Sequence, residues 1–255
     1  MKTKGQKIIA IIPARGGSEK IPNKNLKKFC GKPLIAWTIS AAIKSGVFDR
    51  VIVSTDSLQI AGMAKKYGAE TPFLRPKEIA GATIGIEPTL RHAYEWLRDN
   101  EGYKTDAIAL LFATSPLRQK FHIREAIETF RKSGADSVVA VNETPANHTP
   151  YWTLVKTPGG KVRLWGGIEL KNILTRRQDF PQKCYARNDL LYILRPKNLF
   201  EKKPNLYGKK VELYETSTLY EADINTPEEW QDAEIKFRRL LKNDRKKLQI
   251  NTSTR

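Results

Sequence analysis

The residues best placed to do chemistry lie between positions 12 and 25. There Ile12-Pro13-Ala14-Arg15-Gly16-Gly17-Ser18-Glu19-Lys20-Ile21-Pro22-Asn23-Lys24-Asn25 closes an isoleucine-rich run. Arg15, Lys20 and Lys24 supply positive charge, and Gly16 and Gly17 leave backbone N–H groups accessible. Together they could cradle phosphate groups. The spacing is neither G-x-x-x-x-G-K-[ST] nor G-x-G-x-x-G, so on the loop alone a basic surface turn remains an alternative, less favoured reading. Three more polar clusters follow apolar runs: Ser54-Thr55-Asp56, Thr114-Ser115-Pro116-Leu117-Arg118 and Asp223-Ile224-Asn225. Asp223 and Asn225, at i and i+2, share one face of an extended backbone. They could offer oxygens to a hard cation such as Mg²⁺ alongside waters and substrate phosphates. The same two residues also read as caps of the helix that starts near Pro227.

Positioning these clusters requires alternating elements. Residues 7–12 and 51–55 read as buried strands, as do 106–112 and 137–141. Between them, 33–43, 58–67, 87–98 and 121–132 show helical spacing, with Leu34, Ile35, Trp37, Thr38 and Ala41 on one buried face. Gly68 provides a stop for the second of these helices. Strand and helix in alternation with short connections predict an α/β fold, a mostly parallel sheet with helices on both faces. In such a sheet the loops after the strands converge on one cleft, which would gather the four clusters. After about residue 141 the rhythm changes. Residues 151–155 and 161–165 flank Pro158-Gly159-Gly160 as a hairpin, 190–194 returns as a strand, and 211–214 is a short strand. Residues 227–241 form a helix with Thr226 as N-cap and Pro227 in its first turn. The organisation expected is a single domain, 1–255, with an inserted arm at approximately 145–187 and a basic C-terminal helix and tail at approximately 227–255.

Composition limits the alternatives. The 255 residues suit one domain, and no apolar run reaches the roughly 18 residues of a membrane span. Residues 1–7 lead directly into a strand without the pattern of a signal peptide. Cys30 and Cys184 lack zinc spacing and read as reduced thiols of a cytoplasmic protein. The net charge of +18 invites a nucleic-acid partner, but residues 236–255 hold eight Lys or Arg against Asp244 alone. That concentration reads as a solvated helix face and polar tail, and no RNA-binding motif accompanies it, so no nucleic-acid partner is expected. His92, His122 and His148 fall in patterns explained by packing rather than acid–base duty.

Taken together, Ile12–Ser18 with Pro22-Asn23-Lys24-Asn25 resembles the N-terminal motif of the acylneuraminate cytidylyltransferases, the CMP-sialic acid synthetase family. The resemblance continues in order through Ile52-Val53-Ser54-Thr55-Asp56, Arg75-Pro76-Lys77-Glu78-Ile79-Ala80 and Leu110-Leu111-Phe112-Ala113-Thr114-Ser115-Pro116-Leu117-Arg118. It extends to Arg177-Gln178-Asp179-Phe180-Pro181, Asn188 and Asp223-Ile224-Asn225-Thr226-Pro227-Glu228. It implies a Rossmann-like fold of nucleotidyltransferase type with a small dimerisation arm, hence a homodimer. It also implies Mg²⁺-dependent transfer of CMP from CTP to the anomeric hydroxyl of a nonulosonic sugar acid of sialic, legionaminic or pseudaminic type, with release of pyrophosphate. By that resemblance, Arg15, Lys24 and Asp223 are catalytic. Ala14, Arg15, Gly16, Gly17, Ser18, Lys20, Lys24 and Asn25 bind the nucleotide, and Asp223 and Asn225 hold the metal. Thr114, Ser115, Arg118, Arg177, Gln178 and Asn188 meet the sugar acid. Such chemistry needs positioning and charge neutralisation more than a covalent nucleophile.

The pattern is broken at several positions. Glu19 stands where many relatives have Lys, so either it points away while Lys20 serves or the cradle is weakened. Ala82 replaces an acid, and Phe112-Ala113 replaces a Gln on the sugar side, pointing to a different or less polar acceptor. Asp189 stands for a Gly, and Asn225 for an acid. Alternative readings are transfer to another keto sugar acid, use of another nucleotide, or a catalytically impaired nucleotide-binding paralogue.

Overall fold

The structure is a computed structural model that describes residues 6–253, with side chains through Lys242. The expectations for residues 1–5 and for the side chains of the basic tail beyond 242 lie outside the described residues. In chain order the main elements are β1 (Ile8–Pro13), the short β2 (Lys28–Phe29) and β3 (Lys32–Pro33), α1 (Leu34–Ser45), β4 (Arg50–Ser54) and α2 (Leu58–Lys66). These are followed by α3 (Ile86–Glu101), β5 (Ala107–Leu110), α4 (Lys120–Ser133), β6 (Ser137–Glu143), β7 (Leu154–Lys156) and β8 (Val162–Leu164). Last come β9 (Tyr185–Leu194), β10 (Val211–Glu215) and α5 (Pro227–Ser253).

Six strands form one sheet in the order β10-β6-β9-β5-β1-β4. β1 is central and wholly apolar: Ile8 to Ile12 are fully buried because both faces of a central strand in an α/β sheet are covered. It pairs in parallel with β4 and β5. Pro13 lies opposite Ser54, and Ile11 opposite Leu110, so the three strands end at one edge of the sheet. β9 runs antiparallel to β5, with Tyr192 opposite Leu110. Its preceding residues therefore reach that same edge from the other direction. The sheet is mixed, as the expectation of a mostly parallel sheet allows.

Local chemistry sets the boundaries. Tyr67 caps α2, and Gly68 follows with a φ of 88°, a left-handed conformation that glycine adopts without Cβ strain. α1 buries Leu34, Ile35, Ala36, Thr38, Ile39 and Ala42. Trp37 departs from the expected buried face: it is half-buried, donates its indole N–H to the Phe29 carbonyl at 2.8 Å and packs edge-on against Phe237 of α5. α5 is longer than the sequence pattern predicts, and Trp230, Ala233 and Phe237 on it close a second apolar cluster with Ile21, Phe29, Leu34, Leu117 and Ile224. Ile21 precedes Lys24 and Ile224 separates Asp223 from Asn225, so this cluster anchors two polar segments by burying their apolar neighbours.

The chain divides into two compact units. One comprises Met1–Ala140 with Asp189–Arg255, and the other Val141–Asn188. The smaller unit contains the antiparallel pair β7–β8, whose connecting turn holds Gly159 and Gly160 where a hairpin was expected.

Trp230 is 6% exposed, and its ring meets Phe29 edge-on with centroids 5.5 Å apart. Trp230→Ala is expected to cost about 3–4 kcal/mol, read as a lowered urea midpoint.

Candidate functional site

The loop after β1 is built by hydrogen bonds to the loop after β4. Ala14 donates to the Ser54 carbonyl at 3.0 Å, and Gly16 N–H donates to Asp56 Oδ1 at 2.8 Å. A Cβ at Gly16 would stand 3.1 Å from the Ser57 Cβ, so glycine permits this close approach. Asn25 is 7% exposed and donates its amide to the Arg15 carbonyl at 3.1 Å, closing the loop on itself. Between them Asn23 adopts a φ of 52°, a left-handed position that Asn tolerates, and its carbonyl accepts from Leu26 at 2.8 Å.

Lys24 is the convergence point. Its Nζ donates to the Ile224 carbonyl at 2.7 Å and lies 3.4 Å from Asn225 Oδ1. Burial pulls its pKa below the ordinary lysine value, the nearby Asp223 opposes that, and Arg15 reinforces it. Asn225 Nδ2 donates to Asp223 Oδ2 at 2.6 Å, and Ile224 N–H donates to the Thr114 carbonyl at 3.0 Å. The loops after β1 and β5 and the segment before α5 are thus tied together.

The two readings of Asp223 and Asn225 separate here. Thr226 Oγ1 accepts from Glu229 N–H at 3.3 Å, while Glu229 Oε2 accepts from the N–H groups of Asn225 and Thr226 at 2.6 and 2.9 Å. This is a capping box. The α5 N-terminus is therefore served by Thr226 and Glu229, leaving the exposed Asp223 carboxylate for other use. Asn225 turns its amide nitrogen toward Asp223 and its oxygen toward Lys24. Asp223 thus presents a carboxylate whose Oδ2 is held by Asn225, while Asn225 Oδ1 lies 3.4 Å from Lys24 Nζ.

Two adjoining cavities share Pro13, Arg15 and Phe112. The smaller, about 140 Å³, is walled by Ala14, Ser18, Lys24, Asn25 and Thr114. The larger, about 250 Å³, is lined by Arg75, Ala82, Ile84, Ile86 and Thr89. Arg75 and Asp56 are functional candidates to which no role is given on sequence grounds. Arg75 is 7% exposed, donates from Nε to Ser54 Oγ at 3.2 Å and from Nη2 to the Ser54 carbonyl, and has its pKa lowered by burial. The signal was present in Arg75-Pro76 and in Ser54-Thr55-Asp56, but their contact appears only in the fold.

Ser115 and Arg118 are 1% and 2% exposed, and their side chains are engaged inside the protein. The segment turns inward after Thr114, and Ser115 donates to the Asp189 carbonyl at 2.8 Å. Arg118 donates to the carbonyls of Leu190 and Phe112 and to Thr38 Oγ1, and burial lowers its pKa to about 9. Both hold the middle of β9, at Asp189 and Leu190, against the β5 loop. Gly17, Glu19 and Lys20 are exposed; Glu19 Oε1 sits 4.0 Å from Arg15 Nη2, a loose pair pointing to solvent. His122 is buried, accepts from Gln119 N–H at 3.0 Å, and has its pKa lowered to about 4, mainly by burial. It is a neutral capping residue.

In the Val141–Asn188 unit, Arg177 and Gln178 line a cavity of about 570 Å³ with Glu143, Thr144, Phe180 and Lys183. Asn188, the last residue of that unit, donates to Asn142 Oδ1 at 2.6 Å. Among the described residues no group of three or more His, Cys, Asp or Glu could form a metal cage.

A family model described as "Cytidylyltransferase" matches residues 9–249. The chain is 35% identical over 221 residues to "Post-translational flagellin modification protein B" of Campylobacter coli, covering 85% of this chain and 89% of that protein. It is 34% identical over 228 residues to "CMP-N,N'-diacetyllegionaminic acid synthase" of Legionella pneumophila, covering 88% and 93%. A solved structure of CMP:2-keto-3-deoxy-manno-octonic acid synthetase complexed with CTP superposes with a TM-score of 0.66 at 14% identity, over 91% of this chain and 99% of that one. That last likeness concerns the fold alone.

Replacing Lys24 by Met is expected to weaken CTP binding by about 10²-fold, the scale of losing one preorganised donor. Because folding lowers the Lys24 pKa, its charged form destabilises the native state below that value. The penalty fades as pH rises toward the unfolded value of 10.5. The thermal-melting difference between Lys24→Met and the parent should therefore shift in the parent's favour with rising pH.

Proposed function

Since this chain belongs to the cytidylyltransferase family and is thus a nucleotidyltransferase, we propose that it transfers CMP from CTP to the anomeric hydroxyl of a nonulosonic acid of sialic, legionaminic or pseudaminic type. Pyrophosphate is the other product. The observation that carries this reading is Lys24, a partly buried cation fixed on the Ile224 carbonyl beside Asp223 and facing the Arg15 loop. Such an ammonium is already oriented and loses little hydration when a phosphate reaches it, which suits neutralisation of charge in phosphoryl transfer. Arg15, Ser18, Lys24 and Asn25 wall the smaller cavity and would take the triphosphate; the larger, with the buried Arg75 and apolar walls, would take the base and ribose. The named legionaminic acid synthase relative supports the acceptor class.

Mg²⁺ fits this donor set in one form. It is commonly held by one or two carboxylates together with substrate phosphates, rather than by an all-protein cage. Asp223 would supply that carboxylate, held by Asn225, and Lys24 beside it would bear on the same phosphates. A bound Mg²⁺ supplies charge neutralisation at the phosphates and eases departure of pyrophosphate. The two free cysteines support a reducing, cytoplasmic setting. Among the described residues no helix is long and apolar enough to cross a membrane.

The Val141–Asn188 unit exposes Leu154, Val162, Trp165, Ile168 and Leu170, with Trp165 at 61%. These exposed apolar side chains support a second copy of the chain as partner. Sedimentation velocity is expected to show a dimer, and Trp165→Asp to shift it toward monomer.

The activity test is pyrophosphate release from CTP and Mg²⁺ with N-acetylneuraminate, N,N'-diacetyllegionaminate or pseudaminate. One of the three should turn over, and Asp223→Asn should lower kcat by about 10²-fold or more with CTP still bound. Silence with all three acids would overturn the acceptor assignment.

A further inference from the structure

The cavity of about 570 Å³ in the Val141–Asn188 unit has walls suited to a polyhydroxylated acid. Thr144, Gln178 and Gln182 offer donors and acceptors, Phe180 offers an apolar ring, and Arg177 with Lys183 brings two cations. Both cations are engaged by one internal acid. Arg177 Nη2 lies 2.9 Å from Glu143 Oε1, and Lys183 Nζ lies 2.8 Å from Glu143 Oε2. Each oxygen of one carboxylate takes one cation, which is the arrangement a ligand carboxylate would adopt with the same pair. The three side chains are 31%, 64% and 60% exposed for Glu143, Arg177 and Lys183 respectively. Ion pairs this accessible are individually weak and exchange readily with a competing anion.

Resting on the acceptor class proposed above, we infer that Glu143 is a specificity-determining residue: it occupies the place of the acceptor's carboxylate on Arg177 and Lys183 and is displaced when the acceptor binds. The Lys183 hydrogen bond, with help from Arg177, holds the Glu143 carboxyl below its usual range, so at neutral pH the competitor is ionised. Acceptor affinity is then the difference between two carboxylate interactions with the same cations. A neutral sugar has nothing to offer the pair and leaves Glu143 in place. An acid must exchange with it, so discrimination rests on charge at this point and on the hydroxyl and amide groups around it. The neighbouring Asp179 does not compete for the pair, because Arg176 holds it at 2.8 Å.

The test uses the full chain and its Glu143→Gln variant, which keeps the shape of the side chain and removes its charge. Calorimetry measures binding of N-acetylneuraminate and of its neutral methyl ester. Steady-state kinetics use CTP and whichever acid of the panel turns over. Glu143→Gln should tighten binding of the acid by about three- to fivefold, the scale of one exposed ion pair. It should lower the acceptor KM in step, while the KM for CTP and affinity for the ester hold. Arg177→Met should weaken binding of the acid, with far-ultraviolet circular dichroism confirming its fold. An unchanged or weaker acid affinity in Glu143→Gln would show that Glu143 merely positions the cations or is idle, and would overturn the inference while leaving the transfer reaction intact. Tighter acid binding by Glu143→Gln with no turnover of any acid would uphold the inference and sink the proposed reaction. Failure of both proteins to bind the acid would overturn the inference.

Discussion

The ammonium of Lys24 meets the carbonyl of Ile224 across 200 positions of chain, and the geometry of the larger unit is arranged around that contact. A lysine placed in a loop would ordinarily extend into water with its rotamers free. Here its neighbour Ile21 is buried with Phe29 and Trp230, while Ile224, its acceptor's own residue, is buried in the same cluster. Apolar burial thus fixes both ends of a polar contact. Ile224 in turn donates to the Thr114 carbonyl, which draws the β5 loop into the same arrangement. The cation is held in place before any ligand arrives, and part of its hydration is already gone. That is the condition under which a fixed charge acts on a phosphate most strongly.

Around this centre the acids and cations divide their duties by burial. Asp56 is used on a backbone N–H, Glu229 on the α5 cap, and Asp223 stays exposed beside Lys24. Glu19, which breaks the family pattern, reaches Arg15 only at 4.0 Å and from solvent, so it leaves the cradle's positive face largely intact. Arg118 shows the opposite case: a wholly interior guanidinium satisfied by carbonyls and one hydroxyl. Its donors fasten the middle of β9 to the Phe112 carbonyl. Replacing such a residue would leave several buried carbonyls without donors, a larger loss than any single surface pair.

Much of this could be read from residue types. Continuous isoleucine marks β1 as a doubly covered strand, and Arg15, Lys24, Asn25 and Thr114 line one cavity as their positions after strands imply. What escaped has identifiable causes. Strand direction is not encoded in side-chain character, so β9 reads as a strand but not as an antiparallel one. Arg118 and Ser115 carry the same polar signature as ligand contacts, and only the inward turn after Thr114 separates them. Arg75 acquires its role from Ser54, and Asn225 takes its orientation from Lys24, a partner invisible to any local window. Local spacing is informative about faces of elements, and poor at assigning which of several polar residues is satisfied internally.

The chain leaves the larger unit along β6 and comes back along β9, and these strands are neighbours in the sheet. For the folding of that unit, residues 141–188 therefore act as a single closed loop whose two ends are already held a strand's width apart. Loop-closure entropy grows only logarithmically with length, so adding or removing residues inside the insertion would change the host's stability little. The sheet that carries the cation cradle can thus keep its register while the insertion's length and composition vary. Changes in the part that holds Arg177 and Gln178 are in this sense thermodynamically uncoupled from the part that holds Lys24.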